Sequence, residues 1–450
     1  MSVGAVLATY ANVMAAQYLP AIRLTIRRHN KLMNVIQSMT GSEYYGDGQH
    51  LDNTSGRLIF QTQLGADVGW RSETGVMPKG AVPKYQEATF PIQYLFGSIQ
   101  LSHVSVLATA SGKDTRPSEI KVKALADMLD NLENKMKWEH ERMIWGFQAL
   151  ATCGVTAASL TVNLTGPKWD WLMPGIRIDI INSGTGLAEV NGIARTVESI
   201  DRVNNRIVLD TAGGVVTTTA VDTIHRFDSY GHEPAGILQL MTANGIFMNI
   251  NPLVATWEFW QPFNIDKSLA PVQPTELELL TWLEQLYENG GVGDSDDNSE
   301  EEDKGSLLLL TDPGVHLRYA QNYFALRKYA PESKEIYTGF KGIAIETPNK
   351  GYGATLVSHA NVPHTATYGR IWAIRPQRLG VWELGDTDWL TSFAEGGGSP
   401  SPWSQITGTD GAGTVGPTAQ YQATMYRYVT FGGTVRRAHG EYNGLVRINV

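Results

Sequence analysis

Apolar and polar residues alternate in part along two β-prone runs of the N-terminal third of the chain, which predicts a long β arm. The runs are Arg57–Leu64 and Ala88–Leu101. Between them, Arg71–Lys84 contains two glycines and two prolines, which indicates a loop rather than a tight turn. Two strands alone bury too little surface to be stable in water, and the sequence offers no obvious third strand beside them. We therefore expect the arm to lie on a neighbouring copy of the chain.

The pattern then changes to apolar residues spaced three or four apart, which predicts a long amphipathic helix from Pro117. The apolar stripe consists of Val122, Leu125, Leu129, Leu132, Met136, Met143, Phe147 and Leu150. A helix of roughly 33 residues spans on the order of 50 Å. A coiled-coil dimer helix is the alternative, but the stripe covers only about four heptads and is interrupted at Glu139–His140. One helix laid across a sheet is the preferred interpretation.

Residues 156–230 contain short β-prone segments joined by turns rich in glycine and asparagine, which predict a small barrel or sandwich. The predicted strands are Leu160–Asn163, Gly175–Ile181, Ala194–Ile200, Arg206–Asp210 and Asp222–Phe227. A ligand-binding barrel is the alternative, but the sequence indicates no convergent polar cluster that would define a pocket.

The second half of the chain alternates between helices and strands. Thr275 and Glu278 form a capping-box pattern that predicts a helix start, and Asp312–Pro313 predicts another, which should run to about Tyr329. Buried or paired strands are expected at Ser306–Thr311, Gly342–Glu346, Ala354–Ser358 and Arg370–Ile374, and again from Gln420. Glu395–Pro417, rich in Gly, Ser and Pro, predicts a long loop.

This order of elements resembles the major capsid protein of tailed bacteriophages, an α+β chain with the Hong Kong 97-type capsid fold. The local amino-acid sequences of Trp70–Gly75 and Asn249–Trp260 add to the resemblance. The resemblance implies seven segments: an N-terminal arm (1–56), an extended β loop (57–106), the spine helix of a peripheral domain (107–155), an inserted small β-barrel-like module (156–230), a continuation of the peripheral domain (231–270), an axial domain (271–394), and a loop with the return to the peripheral domain (395–450).

The resemblance also implies a function. We expect a structural protein of the virion that assembles itself, in the host cytoplasm, into hexamers and pentamers of an icosahedral capsid around packaged double-stranded DNA. Its partners would be further copies in its own and neighbouring capsomers, with scaffold, portal and decoration proteins as further candidates. The candidate intersubunit contacts of the arm loop are Trp70, Arg71, Glu73, Lys79 and Lys84. Some family members cross-link an arm lysine to a neighbour, but we expect ion pairing or water contact for both lysines.

A basic stripe lies in the N-terminal segment. Arg23, Arg27 and Lys31 recur every four residues, beside Arg28, and so share one helix face. Because the N-terminal arm of the family faces the shell interior, these residues are candidate DNA-facing contacts that are non-specific and salt-sensitive. A solvated face, or ion pairs with an adjacent subunit, is an equally good interpretation.

Composition sets wider limits. A chain of 450 residues suggests two or three compact units. The net charge of -9 argues against a protein that binds nucleic acid over its whole surface. The single cysteine, Cys153, excludes an intramolecular disulfide and is expected to be packed near the end of the long helix. We expect neither a secretory signal nor a membrane span.

Motifs for cofactors and metals are incomplete. Gly411–Gly416 spells a dinucleotide fingerprint, but Pro417 stands where a helix must begin. His140–Glu141 lacks the second histidine of a zincin helix, and the acidic run Asp294–Asp303 lacks the glycine and the last glutamate of a calcium loop. We therefore expect no cofactor, no metal and no enzyme activity. An encapsulin-type compartment is the nearest alternative; an α/β metabolic enzyme or a surface adhesion protein would belong to other classes.

Overall fold

The computed structural model describes residues 51–52, 55–63, 82, 84–102, 115–165, 171–254, 260–288, 307–326, 333–337, 340–346, 353–376, 379–383, 388–389, 403–409, 415–433 and 439–448. These residues divide between two compact units. The first unit takes the described residues of Ile92–Glu141 and Trp382–Thr430, and the second takes those of Val35–Pro91, Arg142–Val381 and Phe431–Val450. The seven segment boundaries given above stay predictions.

The described elements are mostly strands. The helices are α1 (Thr115–Trp145), α2 (Ile237–Met241), α3 (Glu276–Glu288) and α4 (Pro313–Leu326). The strands are β1 (Leu51–Asp52), β2 (Ser55–Gln63), β3 (Lys84–Pro91), β4 (Gln93–Ser102), β5 (Ala151–Cys153), β6 (Thr156–Ser159), β7 (Thr161–Thr165), β8 (Arg177–Asn182), β9 (Arg195–Asp201), β10 (Arg206–Leu209), β11 (Val216–Thr218), β12 (Asp222–Arg226), β13 (Phe263–Asp266), β14 (Leu307–Thr311), β15 (Ser333–Tyr337), β16 (Phe340–Glu346), β17 (Gly353–Ser358), β18 (Tyr368–Ile374), β19 (Leu379–Glu383), β20 (Asp388–Trp389), β21 (Trp403–Thr409), β22 (Val415–Gly433) and β23 (Gly440–Val446).

The predicted arm is divided at Ile92 between two sheets. β2 pairs antiparallel with β3, from Ser55 opposite Pro91 to Gln63 opposite Lys84, and β1 adds two residue pairs to β2. β4 instead pairs with β22, which comes from the distant C-terminal part of the chain. The prediction that Ala88–Leu101 is one strand of one hairpin is therefore wrong, because β22 supplies β4 with a partner that no local pattern indicated.

In the first unit, α1 packs on one face of the sheet that contains β4, β20, β21 and β22. Gly97 of β4 marks the contact, since a Cβ atom there would lie 2.6 Å from Cδ1 of Leu132 and 3.4 Å from Cγ of Met136. A glycine at this position lets the helix approach the sheet closely. The buried apolar residues of the unit are Ile92, Ile99, Leu129, Leu132, Met136, Trp389, Ala423 and Met425.

The helix ends earlier than predicted. Gly146 follows Trp145 with φ +77°, and its N–H donates to the carbonyl oxygens of Arg142 and Met143, both at 3.0 Å. A glycine in the left-handed region closes a helix because it carries no Cβ to clash. Leu150 therefore lies outside α1. Cys153 is buried as predicted, but in β5 rather than beside the helix end, and burial raises the pKa of its thiol to about 12.

Six strands of the second unit close into a barrel in the order β10-β7-β5-β12-β8-β9. Its interior is filled by side chains that are at most 6% exposed: Val162, Leu164, Ile178, Ile180, Val197, Ile207, Leu209 and Ile224. Arg195 fixes the surrounding loops. Its Nε lies 2.7 Å from Oδ1 of Asp210, and Nη1 donates to the carbonyl oxygens of Asn191 and Gly214. Buried charged groups of this kind hold their geometry because each donor has a partner.

Arg142, in the last turn of α1, forms a second buried polar centre. Its two terminal nitrogens bind both carboxylate oxygens of Glu233 at 2.8 and 2.6 Å, and Nη1 also donates to the carbonyl oxygen of Gln148 at 3.1 Å. His225 of β12 lies in the field of this arginine. Burial first, and then the charge of Arg142, lowers the pKa of His225 from 6.5 to about 4, against smaller opposing effects of a hydrogen bond with the Gln148 backbone and of the charge of Asp179.

We expect acid to destabilise the second unit through His225. Because the folded-state pKa is below the unfolded value, the unfolded chain binds the proton more readily, and stability present above pH 6.5 is lost as the pH falls toward 4. The loss is up to about 1.4 kcal/mol per pH unit across this window. His225→Gln should flatten this part of the profile, measured as the urea midpoint against pH. An unchanged slope in the variant would contradict the assignment.

A seven-stranded mixed sheet forms the rest of the second unit, in the order β13-β23-β18-β14-β17-β16-β15. Its core includes Trp282, Leu286, Leu309, Ile371 and Tyr442. Both predicted helix starts are confirmed. The N–H of Glu278 donates to Oγ1 of Thr275 at 3.3 Å, and the N–H of Gly314 donates to Oδ1 of Asp312 at 2.8 Å.

The predicted loop Glu395–Pro417 is wrong in part. β21 occupies Trp403–Thr409, and β22 begins at Val415, so that the two form an antiparallel pair. Turn-forming residues dominate the composition of this stretch, but pairing with β22 supplies the backbone hydrogen bonds that composition cannot indicate. Gly416, at the end of the fingerprint-like motif, lies opposite Gly408 in this pair and not at the start of a helix.

Candidate assembly surfaces

The first candidate surface is the ribbon formed by β1, β2 and β3. Lys84 and Tyr85 are consecutive residues of β3, and both are exposed, Tyr85 to 61%. Successive side chains of a strand point to opposite faces, so both faces of the ribbon are exposed at this point. Glu87 and Val82 are exposed as well, Val82 to 81%. A narrow ribbon with two exposed faces and an apolar component is suited to contact another surface.

The second candidate surface is the face of β4 that points away from α1. Along β4 the exposure alternates: Ile99 is buried, whereas Tyr94 and Phe96 are 50% and 57% exposed. The two rings stack with their centroids 6.4 Å apart and their planes 12° from parallel. Ser98 and Gln100 continue the exposed side of the strand. Large aromatic groups left in water are uncommon and are typical of protein interfaces.

The strand register places β22 beside this second surface. Phe96 lies opposite Tyr426 of β22, and Tyr94 lies opposite Tyr428. The two exposed rings of β4, Tyr94 and Phe96, therefore lie at one end of the β4–β22 pair, and we call them the aromatic face.

Sequence reasoning missed the aromatic face. The run Gln93–Gln100 carries apolar residues at both even and odd positions, which is unusual for a strand with one solvated face. Apolar residues on both faces are typical of a strand that is covered on both sides, and the structure supplies a cover, α1, on one side. Val82 was missed because it lies within the predicted loop, and Tyr85 because it lies between that loop and the predicted strand.

The predicted contact residues fall mainly outside the described part of the chain. This holds for Trp70, Arg71, Glu73 and Lys79 of the arm loop and for Arg23, Arg27, Arg28 and Lys31 of the N-terminal segment. Lys84 is described, as the exposed first residue of β3 opposite Gln63. The roles of all nine residues stay predictions.

The described residues offer neither a metal-binding cluster nor a membrane-spanning helix. Among them, no group of three or more His, Cys, Asp or Glu side chains is arranged to hold a metal ion. No helix in the same part of the chain is long and apolar enough to cross a membrane. The acidic run Asp294–Asp303 lies outside the described residues.

No protein-family model and no curated protein matches this chain. Solved structures do. The chain is similar to a chain of the cyanophage A-1(L) capsid asymmetric unit at 11% identity and a TM-score of 0.38, over 87% of this chain and 88% of that one. It is also similar to the capsid of Ralstonia phage GP4 at 10% identity and a TM-score of 0.36, over 88% and 84%.

The third structure is the holo-SrpI encapsulin complex from Synechococcus elongatus PCC 7942. It matches at 9% identity and a TM-score of 0.32, over 81% of this chain and 78% of that one. At such identities and TM-scores these similarities assign no partner or role to any residue. A function has to be argued from the exposed surfaces themselves.

Proposed function

We propose that this chain is a shell-forming subunit, the major capsid protein of a tailed double-stranded DNA bacteriophage. The observation that carries the proposal is the ribbon: β2 and β3 extend over eight residue pairs, and consecutive residues of β3 are exposed on opposite faces. Two-stranded ribbons are marginal in water, and two residues of β1 add little to this one. A second copy of the chain offers the missing contact.

The aromatic face supports the same function. It lies on the sheet that α1 stiffens from the other side, so a contact made there would be transmitted to a rigid body rather than to a loop. Two separate exposed apolar surfaces allow one subunit to contact two different neighbours. Surfaces that are not self-complementary generate rings or extended lattices rather than closed pairs.

Within this function the finer roles follow the predicted segments. α1 would be the spine of the peripheral domain, the barrel an inserted module that stiffens the subunit, and the seven-stranded sheet with α3 and α4 the axial domain of hexamers and pentamers. Trp70, Arg71, Glu73, Lys79 and Lys84 would contact a neighbouring subunit, and Arg23, Arg27, Arg28 and Lys31 would face packaged DNA. The chain would have no catalytic role.

Electron microscopy with negative staining of the purified full chain tests the proposal. We expect uniform rings or closed shells, and a sedimentation profile that shifts from subunit to assembly as the protein concentration rises. A chain that sediments as a monomer at every concentration, with no regular particles on the grid, would contradict it. Shells that form equally well but enclose no DNA in an infected host would favour a compartment over a virion.

A further inference from the structure

A cleft of about 500 Å³ opens in the second unit, in a region where the sequence indicated no convergent polar cluster. It is lined by the residues that follow α1, by β5 and β12 of the barrel, and by Trp171 and Tyr230. This size lies within the range of small-molecule pockets. Thr165 and Trp171 border it, and the five residues between them lie outside the described part of the chain.

Aromatic rings shape the cleft, among them those of Phe147, Trp171 and Tyr230. Phe147 and Trp171 lie with their centroids 6.2 Å apart, tilted by 40°. Tyr230 stands edge-on to His225 at 4.9 Å and is 41% exposed, whereas Trp171 is only 6% exposed. Trp171 is therefore held in place by its surroundings, and Tyr230 presents ring surface to the open side.

The polar side chains that line the cleft include hydroxyl and amide groups whose orientation is fixed by hydrogen bonds. The hydroxyl of Thr165 donates to the carbonyl oxygen of Cys153 at 3.1 Å, and the amide of Gln148 donates to that of Glu233 at 3.3 Å. A hydroxyl whose hydrogen is used in this way keeps its lone pairs as acceptors. No Asp, Glu, Lys or Arg occurs among the described lining residues. His225, with its lowered pKa, is uncharged at neutral pH.

We propose that this cleft binds a neutral saccharide unit. Among the described lining residues, a phosphate or other anion would find no lysine or arginine to offset its desolvation. A purely apolar ligand would donate no hydrogen bond to the acceptor oxygens of Thr165 and Gln148. A sugar ring matches both the aromatic and the polar side chains of the lining. Its C–H face packs on an aromatic ring, and its hydroxyls donate hydrogen bonds to the fixed acceptor oxygens. Tyr230 would provide the stacking surface, and Thr165 and Gln148 would orient the ring.

Saturation-transfer NMR on the full chain tests the proposal, with glucose, galactose, N-acetylglucosamine and maltose as probes, sialic acid as the anion control and indole as the apolar control. We expect transfer to at least one neutral sugar and none to sialic acid. Tyr230→Ala should weaken that binding at least about tenfold, the scale of one lost ring contact. Phe227→Ala is the matched control, since Phe227 is 42% exposed and lies outside the lining.

Circular dichroism of both variants establishes that they are folded. Transfer to indole alone would overturn the saccharide assignment, and so would transfer to none of the neutral sugars. Neutral-sugar binding that Tyr230→Ala leaves unchanged in a folded variant would place the ligand elsewhere and overturn this site. None of these outcomes depends on whether the chain assembles into shells.

Discussion

Replacing Tyr94 and Phe96 together with serine is expected to give a folded subunit that no longer assembles. Tyr94 is 50% exposed and Phe96 is 57% exposed. The free energy of unfolding should therefore change by less than about 0.5 kcal/mol per residue. In an interface, each aromatic anchor contributes about 2 kcal/mol or more. Two such anchors contribute about 4 kcal/mol. Because 1.4 kcal/mol is tenfold in an equilibrium constant, the concentration needed for assembly should rise about several hundredfold.

Sedimentation velocity across a concentration series measures this effect, and chemical denaturation of the subunit measures stability. Phe227→Ser is the control, because it removes an exposed aromatic ring of the second unit and should leave assembly unchanged. If the double variant assembles at the same concentration as the parent chain, the aromatic face is not an interface. If it unfolds instead, the exposed rings contribute to the sheet itself.

The second large effect is expected at Arg142. In the parent chain the side chain of Arg142 is 6% exposed and that of Glu233 is 13% exposed. Arg142→Ala therefore leaves the largely buried carboxylate of Glu233 without its bidentate partner. Breaking a buried ion pair from one side costs about 3–5 kcal/mol. The loss should appear as a lower urea midpoint with an unchanged slope.

Arg206→Ala is the matched control for that experiment. Arg206 also pairs with a carboxylate of the same unit, Asp201, at 2.9 Å, but its side chain is 44% exposed. Water screens such a pair, so we expect no resolvable change in the midpoint. Equal effects in the two variants would mean that burial does not decide the contribution of Arg142.

Local chemistry made several elements predictable. Thr275 and Asp312 are side chains that accept hydrogen bonds from the first turn of a helix, and that property depends only on neighbours within three residues. The apolar stripe of α1 and the strand segments of the barrel are equally local. They were predictable from spacing alone.

Contacts between distant residues were not predictable in the same way. No sequence feature near β4 indicates that β22 is its partner. No feature around residues 403–409 predicts a strand there. The early end of α1 depended on the backbone angle of Gly146, while the apolar pattern continued to Leu150. For the candidate surfaces, sequence reasoning indicated the ribbon but missed the aromatic face, since exposure depends on which side the helix covers.

The position of β23 limits when this protein can complete its fold. β23 lies between β13 and β18 in the seven-stranded sheet, parallel to the first and antiparallel to the second. Arg447, just after it, lies 3.2 Å from the Asp312 carboxylate that caps α4 and donates to the carbonyl oxygen of Thr365. During translation the sheet therefore keeps two open edges until β23 has left the ribosome.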